Sequence, residues 1–541
     1  MSGSPTVPSG SGTLFTAGRI HTLDPRRPRA DALAASCGRI VALGSTDELK
    51  AAFPRFRRVD LGARFVLPGF TDAHIHLPAY GISLRRVELR GTRSLRDAVD
   101  QVRSAVSRAR PGEWIRGQGW DKNIWAEDRF PSREDLDPAA PAHPVVLSSK
   151  DGHLLWVNSA ALRAAGVDRA TADPPGGAIA RDGRGEPTGI LKETAKDLVW
   201  RAVPEEGPDA VEAGILEAQR RMHRTGITAI HNFTGTAGYD GPPTFAAFQQ
   251  LHGRGELALR VWMTVPERAL EHVPAMGLRT GFGDDWLRVG PVKIFADGTL
   301  GSQTAAMLEP FEGQPANTGI AIHSREELID LVGRAVAAGF WCAIHAIGDR
   351  ANRWVLDAYA AHREASKALG ARHRIEHVQV LHPTDLPRLA SDGIIASMQP
   401  IHATVDRDIA DRYWGARSRS AYAWRSLLRE GTALAFGSDA PVETPDVFQG
   451  LYAAATRKRA EEPARPSWYP EEALEVEEAV RAYTLGAAYA AGAEEIQGRL
   501  SEGYLADFVG LDRDIFAVPA ETLLQTRVTL TVVGGEVVFG D

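Results

Sequence analysis

Short apolar runs, each closed by a glycine or a polar turn, recur along the chain, with stretches of helical period between them. Eight such runs stand out: Phe65–Leu67 continuing into Thr71–Leu77, Thr228–Phe233, Leu259–Val265, Val292–Ala296, Trp341–Ala346, Arg374–Val380, Ile394–Gln399 and Ala433–Gly437. Runs this short and this continuously apolar predict parallel strands buried on both faces. Ala210–Thr225, Arg325–Ala338, Arg350–Leu369 and Pro383–Ser391 have helical period and fall between them. Eight strands with helical returns predict an α/β fold, a closed (β/α)8 TIM-like barrel.

The pattern changes at both ends. Thr13-Leu-Phe-Thr-Ala, Ala32-Leu-Ala-Ala-Ser and Arg39-Ile-Val-Ala-Leu near the start match Asp507-Phe-Val-Gly-Leu and Val528-Thr-Leu-Thr-Val-Val near the finish. They predict a composite β-sandwich domain from residues 13–64 and 494–541, around a barrel over 65–493. Between the first and second strands, about 78–226 is too long for a simple return and reads as an inserted subdomain. It carries a helix (Ser94–Arg110), a strand (Pro144–Ser148) and a turn-rich stretch around Pro174-Pro-Gly-Gly. Pro470–Gly492 reads as an amphipathic helix closing the barrel, and Met1–Gly12 as a disordered leader.

Composition narrows the function classes. Of 541 residues, 44% are hydrophobic and 24% charged, as in globular proteins, and a net charge of -7 offers no polycationic face to nucleic acid. Two cysteines exclude a disulfide framework and point to a reducing compartment. No apolar run reaches the roughly 20 residues of a membrane span, so the expectation is a cytoplasmic protein acting on a small molecule.

Asp72-Ala-His74-Ile-His76 ends an apolar strand. Residues two apart project from the same face, so both imidazoles point the same way, as two ligands of one metal ion require. His345, His377 and Asp439 end three further predicted strands, where barrel enzymes keep their active sites. Without a metal, such a buried ring would need a partner for each polar group. Lys293 falls inside a buried strand, where desolvation favours the neutral amine. A neutral amine can add CO2 to give a carbamate that bridges two metals; an ion pair with Asp297 or Asp439 is the alternative.

In that order these residues resemble the amidohydrolase superfamily with a lysine-bridged binuclear site. The closer resemblance is to the branch holding the YtcJ-like proteins and N-substituted formamide deformylases. It rests on Gly119-Trp-Asp, Asp151-Gly-His-Leu-Leu-Trp-Val-Asn-Ser, Lys293-Ile-Phe-Ala-Asp-Gly, His345-Ala-Ile-Gly-Asp, Glu376-His-Val-Gln, Gly437-Ser-Asp-Ala-Pro-Val and Gly503-Tyr-Leu-Ala-Asp. The resemblance implies one metal on His74, His76, carboxylated Lys293 and Asp439, and a second on the same Lys293 with His345 and His377. It departs at Gln303, Ala440 and Tyr504, where relatives carry Arg, Trp and Lys.

The expected function is hydrolysis of a C–N bond, in an amide or formamide, by a metal-bridging hydroxide with Asp439 as general base and then acid. Ester or lactone hydrolysis, deamination, decarboxylation and isomerisation on the same metals are alternatives, as is a non-catalytic binding barrel. Two divalent ions are expected, with zinc suiting four imidazoles and oxygen ligands, and manganese, iron and cobalt also compatible. His153, Trp120, Trp125, Asp297 and Gln303 are candidate substrate contacts, each balanced by a structural role. His231 and Asn232 are candidates for hydrogen-bonding a metal ligand. The family suggests a homodimer.

Overall fold

The computed structural model describes residues 12–122, 125–127, 129–149, 154–175, 177–204, 207–233, 242–301 and 303–540. Eight strands form one sheet in chain order: β1 (Phe70–Ile75), β2 (Ile227–Asn232), β3 (Arg260–Pro266), β4 (Leu287–Phe295), β5 (Cys342–Ala346), β6 (Arg374–His377), β7 (Ile395–Met398) and β8 (Leu434–Phe436). Each pairs with its neighbour in parallel. At the seam, the Asp439 N–H donates to His74 O (2.7 Å) and the His76 N–H to Ala440 O (2.9 Å). The result is a nearly closed parallel barrel, and each of its eight strands overlaps a predicted apolar run.

Helices return between the strands, among them Pro208–Arg224, Arg325–Ala337, Asp349–Ala361, Arg363–Leu369 and Leu386–Asp392. Ser324 and Glu327 close a reciprocal capping box on the second of these, which satisfies amide groups its first turn would leave bare. The predicted helix over Pro470–Gly492 is instead Val476–Arg481, a π turn Ala482–Gly486 and Ala487–Ala490. Gly486 lies against β8 so closely that a Cβ there would sit 1.9 Å from Leu434 O.

The first strand differs from expectation. Phe65–Pro68 is not the start of β1; it pairs with Phe508–Leu511 and with Arg19 and Ile20 in a separate sheet. The break falls at Gly69, whose N–H donates to Asp507 O (3.0 Å) and where a Cβ would lie 2.3 Å from Thr228 Oγ1. That second sheet joins both ends of the chain: Thr13–His21, Arg29–Ser36, Arg39–Gly44, Arg57–Asp60 and Phe65–Pro68 with Phe508–Leu511, Val528–Val533 and Glu536–Gly540. Alternation buries both faces. Phe15 and Leu33 join Phe508 and Leu530 in one core, while Leu14, Ala32 and Ala34 meet Leu49 and Phe56 in another.

Residues Gly81–Gly214 form a separate compact unit. Its six-stranded sheet runs in the order Gly177–Arg181, Pro187–Glu193, Leu154–Val157, Val145–Ser149, Ile115–Trp120, Val87–Glu88. The helix Leu95–Val106 packs there, started by Ser94, whose side chain accepts from Asp97 N (3.0 Å). The unit ends earlier than the predicted insert, because the helix Pro208–Arg224 continues into the barrel's share of the chain. Among the described residues no helix is long and apolar enough to cross a membrane.

Candidate metal centre

His74, His345, His377 and Asp439 lie at the C-terminal ends of β1, β5, β6 and β8, and His76 just beyond β1. His377 and Asp439 have left-handed backbones (φ 76° and 60°). A non-glycine residue holds such a conformation at a cost of about 1–3 kcal/mol, and only where its surroundings demand it. At His377 this twist lets two consecutive side chains, Glu376 and His377, both face the same site.

One ring nitrogen of each of the four histidines is committed to a protein acceptor. His74 Nδ1 donates to Glu376 Oε2 (2.6 Å), His76 Nδ1 to Phe233 O (3.0 Å), His345 Nε2 to Gly298 O (3.0 Å) and His377 Nδ1 to Gln399 Oε1 (2.8 Å). Each acceptor fixes the ring proton, and with it the opposite nitrogen as a lone-pair donor. Two of those opposite nitrogens face Asp439: His76 Nε2 is 3.3 Å and His74 Nε2 3.6 Å from its Oδ1. Ligand atoms of His74, His377 and Asp439 all lie within 4.8 Å of one another, a spacing a metal ion fits. The His345 ring stands 4.6 Å from that of His377, bringing the fifth side chain alongside.

Electrostatics agree with this division. Burial holds the imidazoles of His74 and His377 far below their usual range, and takes His345 to about 4, so these three rings are neutral. Burial alone would raise the Asp439 carboxyl, yet set among His76, His74 and His377 it lies well below its ordinary value. Lys293 is 2% exposed on β4, its Nζ between the faces of Phe233 (4.9 Å) and Phe295 (4.6 Å). Desolvation lowers its amine to about 8, against the pull of Glu376 and Asp439.

Asp72, first residue of the Asp-Ala-His motif, is a brace. It accepts from Ser438 N (3.0 Å), Ser438 Oγ (2.5 Å) and His74 N (3.1 Å), tying β1 to the turn that carries Asp439. Burial pushes its carboxyl up to about 7 despite these bonds.

The other sequence candidates fall elsewhere. Asp297 accepts from Ala306 N (2.8 Å), Ile347 N (3.0 Å) and Gly348 N (2.8 Å), anchoring the loop 3.6 Å from His345 Nε2. Gln303 is likewise turned into its own loop, where Gln314 donates to its Oε1. Trp120 and Trp125 pack with Trp156 in the core of the inserted unit, their indole N–H groups donating to Leu147 O (2.9 Å) and Thr92 Oγ1 (3.1 Å). His153 lies outside the described residues. His231 does not touch a candidate ligand: its Nδ1 accepts from Arg374 NH1 (2.8 Å), and Arg374 faces Glu376, which holds His74. Asn232 accepts from Leu77 N (2.9 Å), bracing the turn beyond His76.

Four residues at the site escaped the sequence reading: Glu376, Arg374, Gln399 and His402. Arg374 and Glu376 are 1% and 0% exposed, and their Nε and Oε1 lie 2.7 Å apart off the hydrogen-bond angle, so charge holds the pair. His402, on the helix Pro400–Val405 after β7, stacks 6.1 Å from His377.

Comparison with known proteins bears on the whole chain. The amidohydrolase family model matches residues 57–539. The putative amidohydrolase YtcJ of Bacillus subtilis is 33% identical over 97% of this chain and 99% of its own. An N-substituted formamide deformylase of Arthrobacter pascens is 29% identical over 95% and 96%. An uncharacterized metal-dependent hydrolase from Pyrococcus horikoshii superposes with a TM-score of 0.77, at 26% identity, over 94% of this chain and 99% of that one. With the barrel and its histidine cluster, these likenesses establish that the chain belongs to the amidohydrolase family and is a metal-dependent hydrolase.

Proposed function

We propose that this hydrolase cleaves the C–N bond of an N-substituted amide or formamide, using two divalent ions, with zinc the best match to four imidazoles and oxygen ligands. His74, His76, Asp439 and a carboxylated Lys293 would hold one ion, and the same Lys293 with His345 and His377 would hold the other. The observation that carries the reading is the commitment of one nitrogen on every histidine to a protein acceptor, which is how metal-binding imidazoles are oriented. The bound ions supply Lewis acidity and bring the pKa of water from about 15.7 toward about 7.

Asp439 moves the proton. Its Oδ1 faces His74 and His76, while Oδ2 faces the other way, toward His402. A carboxylate so divided can take a proton from the attacking water and deliver it to the nitrogen that departs. The delivery matters because an unprotonated amide nitrogen is a very poor leaving group. The deformylase among the relatives acts on an N-substituted formamide, which favours this substrate class.

The metal-loaded protein assayed on N-substituted formamides, N-acyl amino acids and lactones tests the reading. Amine release is expected, and Asp439→Asn should lower it by about 10²–10⁴-fold with the melting temperature unchanged. Turnover of lactones alone would replace the C–N assignment, and wild-type rates in Asp439→Asn would remove its proton-transfer role.

A further inference from the structure

His402 is 7% exposed, yet its Nε2 is buried without a hydrogen-bond partner among the described residues. A buried polar group left so costs about 1–3 kcal/mol, and a fold keeps it where a ligand completes the bond. The place is specific. Nε2 stands 3.9 Å from Asp439 Oδ2, the carboxylate oxygen turned away from His74 and His76. That gap is too long for a direct hydrogen bond, but one polar atom can sit about 2.8 Å from both groups at once. The ring is fixed there: it lies nearly parallel to His377 (12°), on a helix begun by Pro400 directly beyond β7.

We propose that His402 is a substrate-contacting catalytic residue, its Nε2–H donating to an oxygen of the tetrahedral species that forms beside Asp439 Oδ2. Its position separates it from the metal ligands. It lies on a helix, Pro400–Val405, four residues past Met398, the last residue of β7. Its nearest candidate-ligand oxygen is also on the outer side of Asp439. A fixed donor aimed at developing charge is worth about 10²–10³-fold in rate. The role rests on the reading of Asp439 as the proton carrier.

Inorganic phosphate, a tetrahedral oxyanion, probes this contact without turnover. Metal-loaded wild type, His402→Ala and His402→Gln are compared by calorimetric titration with phosphate and by metal content. The expected result is a tenfold or greater loss of phosphate affinity in His402→Ala, partial recovery in His402→Gln, which keeps an N–H donor, and unchanged metal in both. Equal phosphate affinity in wild type and His402→Ala overturns the proposal, as does wild type that binds no phosphate. Loss of metal from both variants also overturns it, because the ring would then only support the metal site. Phosphate affinity that depends on His402 in a protein releasing no amine from any amide would refute the C–N reading and leave His402 standing.

Discussion

Glu376 brings a carboxylate into a fully buried position, and two neighbours account for its being there: His74, which it orients, and Arg374, which balances its charge. These tasks are separable by mutation. Glu376→Gln keeps an acceptor for His74 Nδ1 but removes the charge that polarises the ring, so metal affinity should fall about 10–100-fold. It also strands the Arg374 guanidinium in the barrel, at about 3–5 kcal/mol of stability. Adding Arg374→Met should restore much of that stability without restoring metal affinity; a recovery of both together would mean that Glu376 acts on His74 only through the fold. Metal titration against a chelator and denaturant unfolding read the two effects independently. The candidate histidines and Asp439 are legible in the sequence because each ends a predicted strand, and Lys293 because a lysine stands inside one. Glu376 is not, because strand alternation assigns it the face opposite His377, and only the left-handed turn at His377 brings both inward. His402 escapes for a related reason, lying four residues past Met398, the last residue of β7, inside a helix where a histidine carries no signal of its own.

At the scale of elements, continuous apolar runs locate the barrel strands well, since burial on both faces makes nearly every position of a strand apolar. Their lengths are less legible. β4 begins five residues before the predicted Val292, across Gly290 and Pro291, residues that ordinarily mark a turn. Gly290 is there for packing: a Cβ would lie 2.1 Å from the Trp262 indole nitrogen on β3. The merging of Phe65–Pro68 with β1 has the same origin, because two apolar strands separated by one glycine look like one. The helix Thr46–Ala52 goes unseen although Ser45 and Glu48 write its capping box, since it is embedded among strand-like runs. The seam between β1 and β8 depends on another close approach. At Gly437 a Cβ would sit 2.4 Å from His74 N and 2.7 Å from Asp72 Oδ1, contacts with backbone and with a buried brace that have no room to yield. Gly437→Ala should therefore push the Asp439 turn away from His74, lowering stability by about 1–3 kcal/mol and emptying the metal site. Wild-type metal content in that variant, measured on purified protein, would show that the seam tolerates the displacement.

Across the whole molecule, the ends of the chain meet the barrel through Asp507. This residue is 5% exposed and leads into the strand Phe508–Leu511. Its carboxylate pairs with Arg260 on β3, with NH2 to Oδ1 at 2.8 Å, and accepts from Gly534 N at 2.7 Å. Its carbonyl accepts the N–H of Gly69, where the terminal sheet hands over to β1. One residue thus ties the last strands of the chain, the first barrel strand and β3 together, over separations in sequence of hundreds of residues. No pattern in the sequence announces such a tie, because a lone Asp after a Tyr-Leu-Ala segment reads as an ordinary strand start. Arg260 is buried with it, and a second bond, to Asp285 O (2.9 Å), leaves its charge still dependent on Asp507. Asp507→Ala should cost about 3–5 kcal/mol, the penalty for an uncompensated buried guanidinium. Asp507→Asn should cost less, since it keeps an acceptor for the Arg260 and Gly534 donors. The loss should appear as earlier unfolding of the terminal sheet, read by hydrogen exchange at Phe508–Leu511 and Val528–Val533, with metal content retained because Asp507 touches no candidate ligand. Unchanged exchange in those strands, or metal loss preceding it, would mean that the terminal sheet is held to the barrel by its apolar faces alone.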